Sequence, residues 1–122
     1  MAPVFNLEER TLQFALDVRA WVRFLPLTLR QSEEVRQLLR ASGAVGANYI
    51  EANEALGKKD FLMRTRIALK EAKECRFWLR LIQVPTEHMS TEQKRLQEEA
   101  RQLVYIFATI IRNASKSQIE KQ

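Results

Sequence analysis

Residues that break helices or form disulfides are scarce in this chain. Its 122 residues include three glycines, three prolines and one cysteine. A single cysteine excludes an internal disulfide and is compatible with a reducing compartment, so we expect a cytoplasmic protein. Apolar residues make up 46% of the sequence, enough for one hydrophobic core. We therefore predict a single folded domain over residues 1–122.

Long apolar runs are also absent. No stretch of about 18 apolar residues occurs, so we expect no segment that spans a membrane. The N-terminal residues 1–5 lack both a basic region and a long apolar run, and we expect no signal peptide. A basic amphipathic helix could still lie on a membrane surface, but the basic helix found below also carries core residues. We expect no membrane partner.

Residues that carry common enzyme chemistry are missing as well. A carboxylate-bridged two-metal site in a helical bundle needs Glu-x-x-His pairs on two helices, and the only histidine, His88, falls in a predicted loop. Cys75 has no neighbouring His or Cys and lies on an apolar stripe, so we interpret it as a packing residue. The glycines form no phosphate-binding loop. We predict a non-enzymatic protein without catalytic residues, metal or cofactor.

Four amphipathic segments make up most of the chain. Apolar residues recur at helical spacing over residues 7–25, 32–56, 60–83 and 91–114. Four helices of similar length with short connections favour an antiparallel up-down four-helix bundle. The polar tail, residues 115–122, is expected to fray.

Capping residues set these predicted bounds. At the N-terminal ends, the candidate caps are Asn6 with Glu9, Ser32, Asp60, and Ser90 with Gln93. Pro26 ends the first segment at Leu25, and Gly57 closes the second. The second segment also contains Gly43 and Gly46, each costing up to about 1 kcal/mol in a helix interior. Close approach of a neighbouring helix explains them, and a helix break is the alternative.

The third segment is apolar on two sides. One stripe faces the predicted core, and a second apolar set lies well away from it at Met63, Ile67, Phe77, Trp78 and Leu81. Such a helix is either wedged deep in the core or located at a subunit interface. Large exposed apolar patches on soluble proteins usually mark binding sites for a partner, so we predict that this set forms an oligomer interface.

A basic strip runs between the two apolar sets. It consists of Lys59, Arg66, Lys70, Lys73 and Arg80. Residues 58–80 hold eight Lys or Arg and three Asp or Glu, whereas the rest of the chain has twelve of each, so the net charge of +5 lies on this helix. Such a strip attracts phosphates by Coulomb interaction and counterion release, and the alternative is a solvated face. We predict nucleic-acid binding.

Three polar residues that have small or apolar neighbours in the sequence indicate a network of hydrogen bonds and ion pairs inside the bundle. Asn48, Glu51 and Glu74 would need partners if buried, and Arg40 and Arg76 are candidates. We interpret the network of Arg40, Asn48, Glu51 and Glu74 as structural rather than catalytic.

Residues 37–52 carry a family resemblance. They resemble the signature of four-helix bundle proteins encoded in 23S ribosomal RNA intervening sequences, roughly Q-x-x-R-A-x-x-S-[IV]-x-x-N-I-x-E-G. The matching positions are Gln37, Arg40, Ala41, Val45, Asn48 and Glu51, and the departures are Ala44, Tyr49 and Ala52. Lys59-Asp60-Phe61, Ile67-Ala68 and Glu74 fit the stretch that follows.

The resemblance implies a homo-oligomer, typically a pentamer. It also extends to the accessory variability proteins of diversity-generating retroelements, which are basic pentamers that bind nucleic acid and partner a reverse transcriptase. Our leading hypothesis is a homo-oligomeric accessory protein that binds RNA or DNA. The second is a structural adaptor whose partner is a protein such as a reverse transcriptase.

Overall fold

The computed structural model describes residues 6–120, with side chains up to residue 116. The elements are α1 (Leu7–Arg23), α2 (Leu27–Arg30), α3 (Glu33–Asn53), α4 (Lys58–Leu81) and α5 (Glu87–Glu120). Residues 6–120 form no strand, which confirms the predicted all-α class. Four helices are long, and α2 is a single turn that the sequence did not predict. Within this range, no helix combines the length and apolarity needed to cross a membrane.

The long helices pack in a ring with alternating direction. The helix α3 packs along α4, α4 along α5, and α1 lies between α3 and α5. Glu8 at the start of α1 accepts a hydrogen bond from Asn53 at the end of α3, whereas Arg19 donates to Ser42 nearer the start of α3. These contacts require α1 and α3 to be antiparallel. Between α1 and α5, Arg10 donates to Glu99 and Trp21 donates to the Met89 carbonyl. These two helices are therefore antiparallel as well.

One hydrophobic core fills the space between the four helices. Its largest fully buried apolar side chains are Phe14, Phe107, Leu25, Leu38, Leu79, Leu96, Leu103, Val18, Val35 and Val45. Full burial of each such side chain contributes about 1.5–3 kcal/mol, so this core supplies the main stabilisation of the bundle. In α4 the first buried position is Leu62, whereas Phe61 is only partly buried.

Two of the predicted caps are confirmed. The Asn6 side-chain oxygen accepts from the Glu9 amide at 3.1 Å, and the Ser32 hydroxyl accepts from the Val35 amide at 3.3 Å. These bonds satisfy amides that have no partner within the helix. The first helix ends at Arg23 rather than residue 25, and Pro26 precedes the extra turn of α2.

The connection between α3 and α4 differs from the prediction. The helix α3 ends at Asn53 instead of residue 56, and α4 covers Lys58–Leu81 instead of residues 60–83. Gly57 is the residue before α4 and does not close α3, and Asp60 lies in the first turn and is not the cap. An acidic side chain favours the first turn as well as the cap position, because both lie near the positive end of the helix dipole.

The last helix is longer than predicted at both ends. It starts at Glu87, so Ser90 lies inside it, and the Thr86 hydroxyl accepts from the Met89 amide at 3.2 Å. The prediction of Ser90 as the cap is therefore wrong, and it followed from the preference for serine over threonine at this position. His88 is therefore in the first turn of α5 and not in a loop. Residues 115–120 are helical, and residues 121–122 of the predicted tail lie outside the described range.

The two glycines of α3 lie in an unbroken helix, so the alternative of a helix break is wrong. A Cβ atom added at Gly46 would lie 2.8 Å from the Thr11 hydroxyl of α1. A Cβ atom at Gly43 would lie 3.5 Å from the Arg19 guanidinium, an ordinary contact. The predicted close approach of a neighbouring helix is thus confirmed at Gly46.

Candidate nucleic-acid interface

The predicted basic strip lies on the outer face of α4. All five residues, Lys59, Arg66, Lys70, Lys73 and Arg80, are exposed. The core stripe of α4 occupies the opposite side, so the cations project away from the bundle. The sequence pattern therefore places these side chains where a large anionic partner can reach them.

Most of these cations have no acidic partner. Lys70 lies 3.8 Å from the Glu74 carboxylate, which is a loose and exposed pair. Among residues 6–116, Lys59, Arg66, Lys73 and Arg80 form no ion pair within 4.0 Å. Unpaired surface cations are free to neutralise phosphates without first losing an internal partner.

A pocket between α4 and α5 gathers four cations around one aromatic ring. Its volume is about 220 Å³, and it is lined by Lys73, Arg76, Phe77, Arg80, Arg101 and Val104. We refer to it as the cationic pocket. Arg76 belongs to this pocket and not to the polar network for which it was a candidate. Its spacing from Lys73 and Arg80 on α4 is three and four residues, which indicates a common face.

Arg101 is the contribution of α5, and no pattern in the sequence indicated it. Its guanidinium lies 2.6 Å from the Glu98 carboxylate at the rim of the cationic pocket. The hydrogen bond from Arg101, followed by one from Gln102, lowers the pKa of Glu98 to about 2, and the charge of Arg76 acts in the same direction. Glu98 is therefore ionised at neutral pH and partly offsets the positive charge of the pocket.

The second apolar set shares this side of the molecule with the cations. Met63, Phe77 and Leu81 are 45%, 55% and 48% exposed, while Ile67 and Trp78 are partly buried. A shallow groove of about 570 Å³ runs along α4, lined by Arg66, Leu69, Lys70, Lys73, Glu74, Phe77, Trp78 and Ile111. The predicted interface and the predicted binding strip are therefore adjoining parts of one surface.

The two aromatic residues of this surface differ in burial. Trp78 packs against the core, and its indole N–H is buried without a hydrogen-bond partner among the described residues. Phe77 meets it edge to face, with ring centroids 5.0 Å apart and an interplanar angle of 75°. The partly buried indole thus supports one side of the exposed Phe77 ring.

The polar network forms in part. Arg40 of α3 donates to Glu74 of α4 at 2.9 Å and to Glu71 at 3.2 Å. Glu71, which the sequence did not single out, is the buried carboxylate of the group. Asn48 donates only to the Ala44 carbonyl of its own helix. Glu51 is exposed on α3, so its predicted place in the internal network is wrong.

Cys75 is buried in the core, as its apolar stripe indicates. Burial, followed by the nearby carboxylates of Glu71 and Glu74, raises the pKa of its thiol. The neutral thiol is a poor nucleophile, which agrees with a packing role.

A second apolar stripe on α1 and α2 was missed by the sequence reasoning. Leu12, Leu16, Phe24 and Leu27 are 51%, 49%, 75% and 58% exposed. We call these four residues the α1 stripe. The spacing of four residues between Leu12 and Leu16, repeated to Ala20 and Phe24, is the signal that could have revealed it.

These features define an all-α bundle of four long helices with a basic outer face on α4. The chain belongs to the 23S rRNA-intervening sequence protein family, whose model matches residues 6–109. This match confirms the family predicted from residues 37–52.

Solved structures support the same assignment. The chain is similar to a protein of unknown function from the S23 ribosomal protein family of Bacteroides thetaiotaomicron VPI-5482, known from a crystal structure. The two share 27% identity with a TM-score of 0.75, over 85% of this chain and 96% of the other. No curated protein matches the chain.

Proposed function

We propose that this protein is a non-enzymatic homo-oligomer that binds nucleic acid through the basic face of α4. In this role it is a cytoplasmic accessory to a ribosomal RNA intervening sequence or to a retroelement. The observation that carries the proposal is the cationic pocket, where Lys73, Arg76 and Arg80 meet Arg101. Four cations at one site, with a single carboxylate at the rim, favour a polyanion as the ligand.

The physical basis is electrostatic. Each phosphate neutralised by a Lys or Arg releases a condensed counterion, which gives binding a favourable and salt-dependent free energy. Residues outside 58–80 carry twelve basic and twelve acidic side chains, so the rest of the chain adds no net charge that would attract or repel a polyanion. The name of the family, which refers to an rRNA intervening sequence, supports RNA as the first ligand to test.

Self-assembly is the second part of the proposal. In the ring of helices, α1 and α4 occupy diagonal positions, so their outer faces point in opposite directions. We propose that the α1 stripe of one copy packs against Met63, Ile67, Trp78 and Leu81 of the next. An interface between two different faces closes into a ring when the rotation permits it. A pentamer, which the family resemblance implied, is such a ring.

Charge reversal within the cationic pocket tests nucleic-acid binding. The variant Lys73→Glu/Arg80→Glu alters two exposed residues, so it should fold as the wild type does and lose at least tenfold in affinity for a short RNA. The matched control Arg30→Glu/Lys116→Glu makes the same change in net charge at exposed positions outside α4. Fluorescence anisotropy at low salt measures both. Equal affinities for the two variants would contradict the proposed surface.

The alternative function is a structural adaptor with a protein partner such as a reverse transcriptase. The α1 stripe favours it, because exposed large apolar side chains suit a protein partner. Under this alternative the free protein is monomeric and binds RNA weakly, whereas our proposal requires an oligomer that binds RNA.

A further inference from the structure

We propose that the ligand is single-stranded and that one of its bases stacks on Phe77 while an adjoining phosphate enters the cationic pocket. This inference rests on the proposed function and specifies which kind of nucleic acid the site takes. It reassigns Phe77 from the oligomer interface, where the sequence pattern placed it, to the ligand site.

The position of Phe77 is the first observation. Its side chain is 55% exposed, and it lines both the cationic pocket and the groove along α4. An aromatic ring exposed at the centre of a cationic surface is poorly explained by solubility or by core packing. It is typical of sites where an unstacked base stacks on an aromatic side chain while neighbouring cations bind the nucleic-acid backbone.

The support behind the ring is the second observation. Trp78 contacts Phe77 edge to face at 5.0 Å and itself packs against the core. This contact restricts the orientation of Phe77, so less conformational freedom is lost when a base stacks on it. An exposed phenylalanine without such a neighbour would sample several orientations.

The size and charge of the cationic pocket fit a phosphate. Its volume of about 220 Å³ leaves room for a phosphate group. Lys73, Arg76 and Arg80 approach it from α4, and Arg101 approaches from α5. A phosphate there would compete with Glu98 for Arg101. It would also contact Lys73, Arg76 and Arg80, which have no ion-pair partner among the described residues.

The structure of nucleic acids explains why a single strand is favoured. Bases in a duplex are stacked on each other, so a surface ring on a convex helix cannot reach their faces. A duplex would therefore use the cations alone, while a single strand would use both the cations and Phe77. Stacking contributes about a five- to 150-fold gain in affinity per base.

A second protein copy is a poorer occupant of this part of the surface. Cores of protein interfaces are depleted of charge, whereas the cationic pocket presents four cations around Phe77. Burial of these cations against an apolar face such as the α1 stripe would leave them without counter-charges, which is strongly unfavourable.

The test compares one strand with its duplex. The full-length protein is titrated against a fluorescent RNA of about 12 nucleotides, single-stranded or annealed to its complement. Phe77→Leu keeps an apolar side chain but removes the ring. It should lower single-strand affinity about tenfold and change duplex affinity less than twofold. Tyr105→Leu, which alters an exposed aromatic residue outside both the cationic pocket and the α1 stripe, should change neither.

Each other outcome has a defined meaning. If Phe77→Leu binds the single strand as tightly as the wild type, the stacking inference is wrong and the proposed function stands. If Phe77→Leu weakens both ligands equally and reduces the molar mass by light scattering, Phe77 is a subunit contact and the inference is also wrong. If the wild type binds neither RNA at low salt, the proposed function itself fails.

Discussion

At the scale of single residues, the Arg40–Glu71 pair joins α3 to α4 at a buried carboxylate. Glu71 is only 7% exposed, and a buried carboxylate needs a cation and hydrogen bonds to remain ionised. Arg40 supplies both from the neighbouring helix. The sequence identified Arg40 and Glu74 but not Glu71, because its burial depends on how α3 and α4 pack, and the local pattern of α4 does not reveal it.

We predict different effects for two arginines of α3. Arg40→Ala should lower the free energy of unfolding by about 2 kcal/mol, because it leaves Glu71 buried without a cation. Arg36→Ala removes an exposed pair with Glu33 and should cost less than about 1 kcal/mol. Urea unfolding followed by circular dichroism measures both. Equal losses in the two variants would show that Glu71 does not depend on Arg40.

At the scale of elements, the contact between α1 and α3 depends on a missing side chain. Gly46 allows Thr11 to approach so closely that a Cβ atom would lie 2.8 Å from its hydroxyl. The Thr11 hydroxyl also donates to the Leu7 carbonyl at 2.8 Å, so it cannot turn away without losing that bond. The run of small residues in α3 therefore sets how near the two helices come.

Substitution of the two glycines by alanine should have opposite effects. Gly46→Ala should destabilise the protein by about 1–3 kcal/mol, since the added methyl group forces the helices apart. In Gly43→Ala the added methyl group contacts only the flexible end of Arg19. This substitution should stabilise the protein by about 0.5–1 kcal/mol, because alanine has the higher helix propensity. Thermal and urea unfolding of both variants provide the comparison. A stabilised Gly46→Ala variant would refute the close packing.

The helix ends show what local sequence can and cannot predict. Asn6 and Ser32 cap their helices as predicted, because a capping bond spans only three residues. Gln93 looked like a capping partner, yet it is buried and donates to the Leu79 and Ile82 carbonyls, both at 2.6 Å. This bond joins α5 to the end of α4, so it becomes visible only when the helices are placed together.

At the scale of the whole molecule, the basic surface and the α1 stripe lie on opposite faces. The basic surface surrounds α4 and extends to Arg101 of α5, whereas the α1 stripe lies diagonally across the bundle. The concentration of charge on one helix was predictable from counting residues. The contribution of Arg101 was not, since it depends on the register between α4 and α5.

The α1 stripe leads to a prediction about assembly. Light scattering of the wild type at micromolar concentration should give a mass well above 14.3 kDa for one chain. Leu12→Glu/Leu16→Glu introduces charge into the apolar contact and should yield monomers. Leu56→Glu, at a fully exposed position between α3 and α4, should keep the wild-type mass. A monomeric wild type would contradict self-assembly and favour the adaptor.

The salt dependence of RNA binding tests the central claim most directly. If the four cations of the cationic pocket contact phosphates, log affinity for single-stranded RNA should fall against log salt with a slope of about −3. Lys73→Glu/Arg80→Glu should make that slope less steep by about 1.4 or more, and Arg30→Glu/Lys116→Glu should leave it unchanged. A wild-type affinity that is independent of salt, or the same slope in both variants, would contradict nucleic-acid binding at this surface.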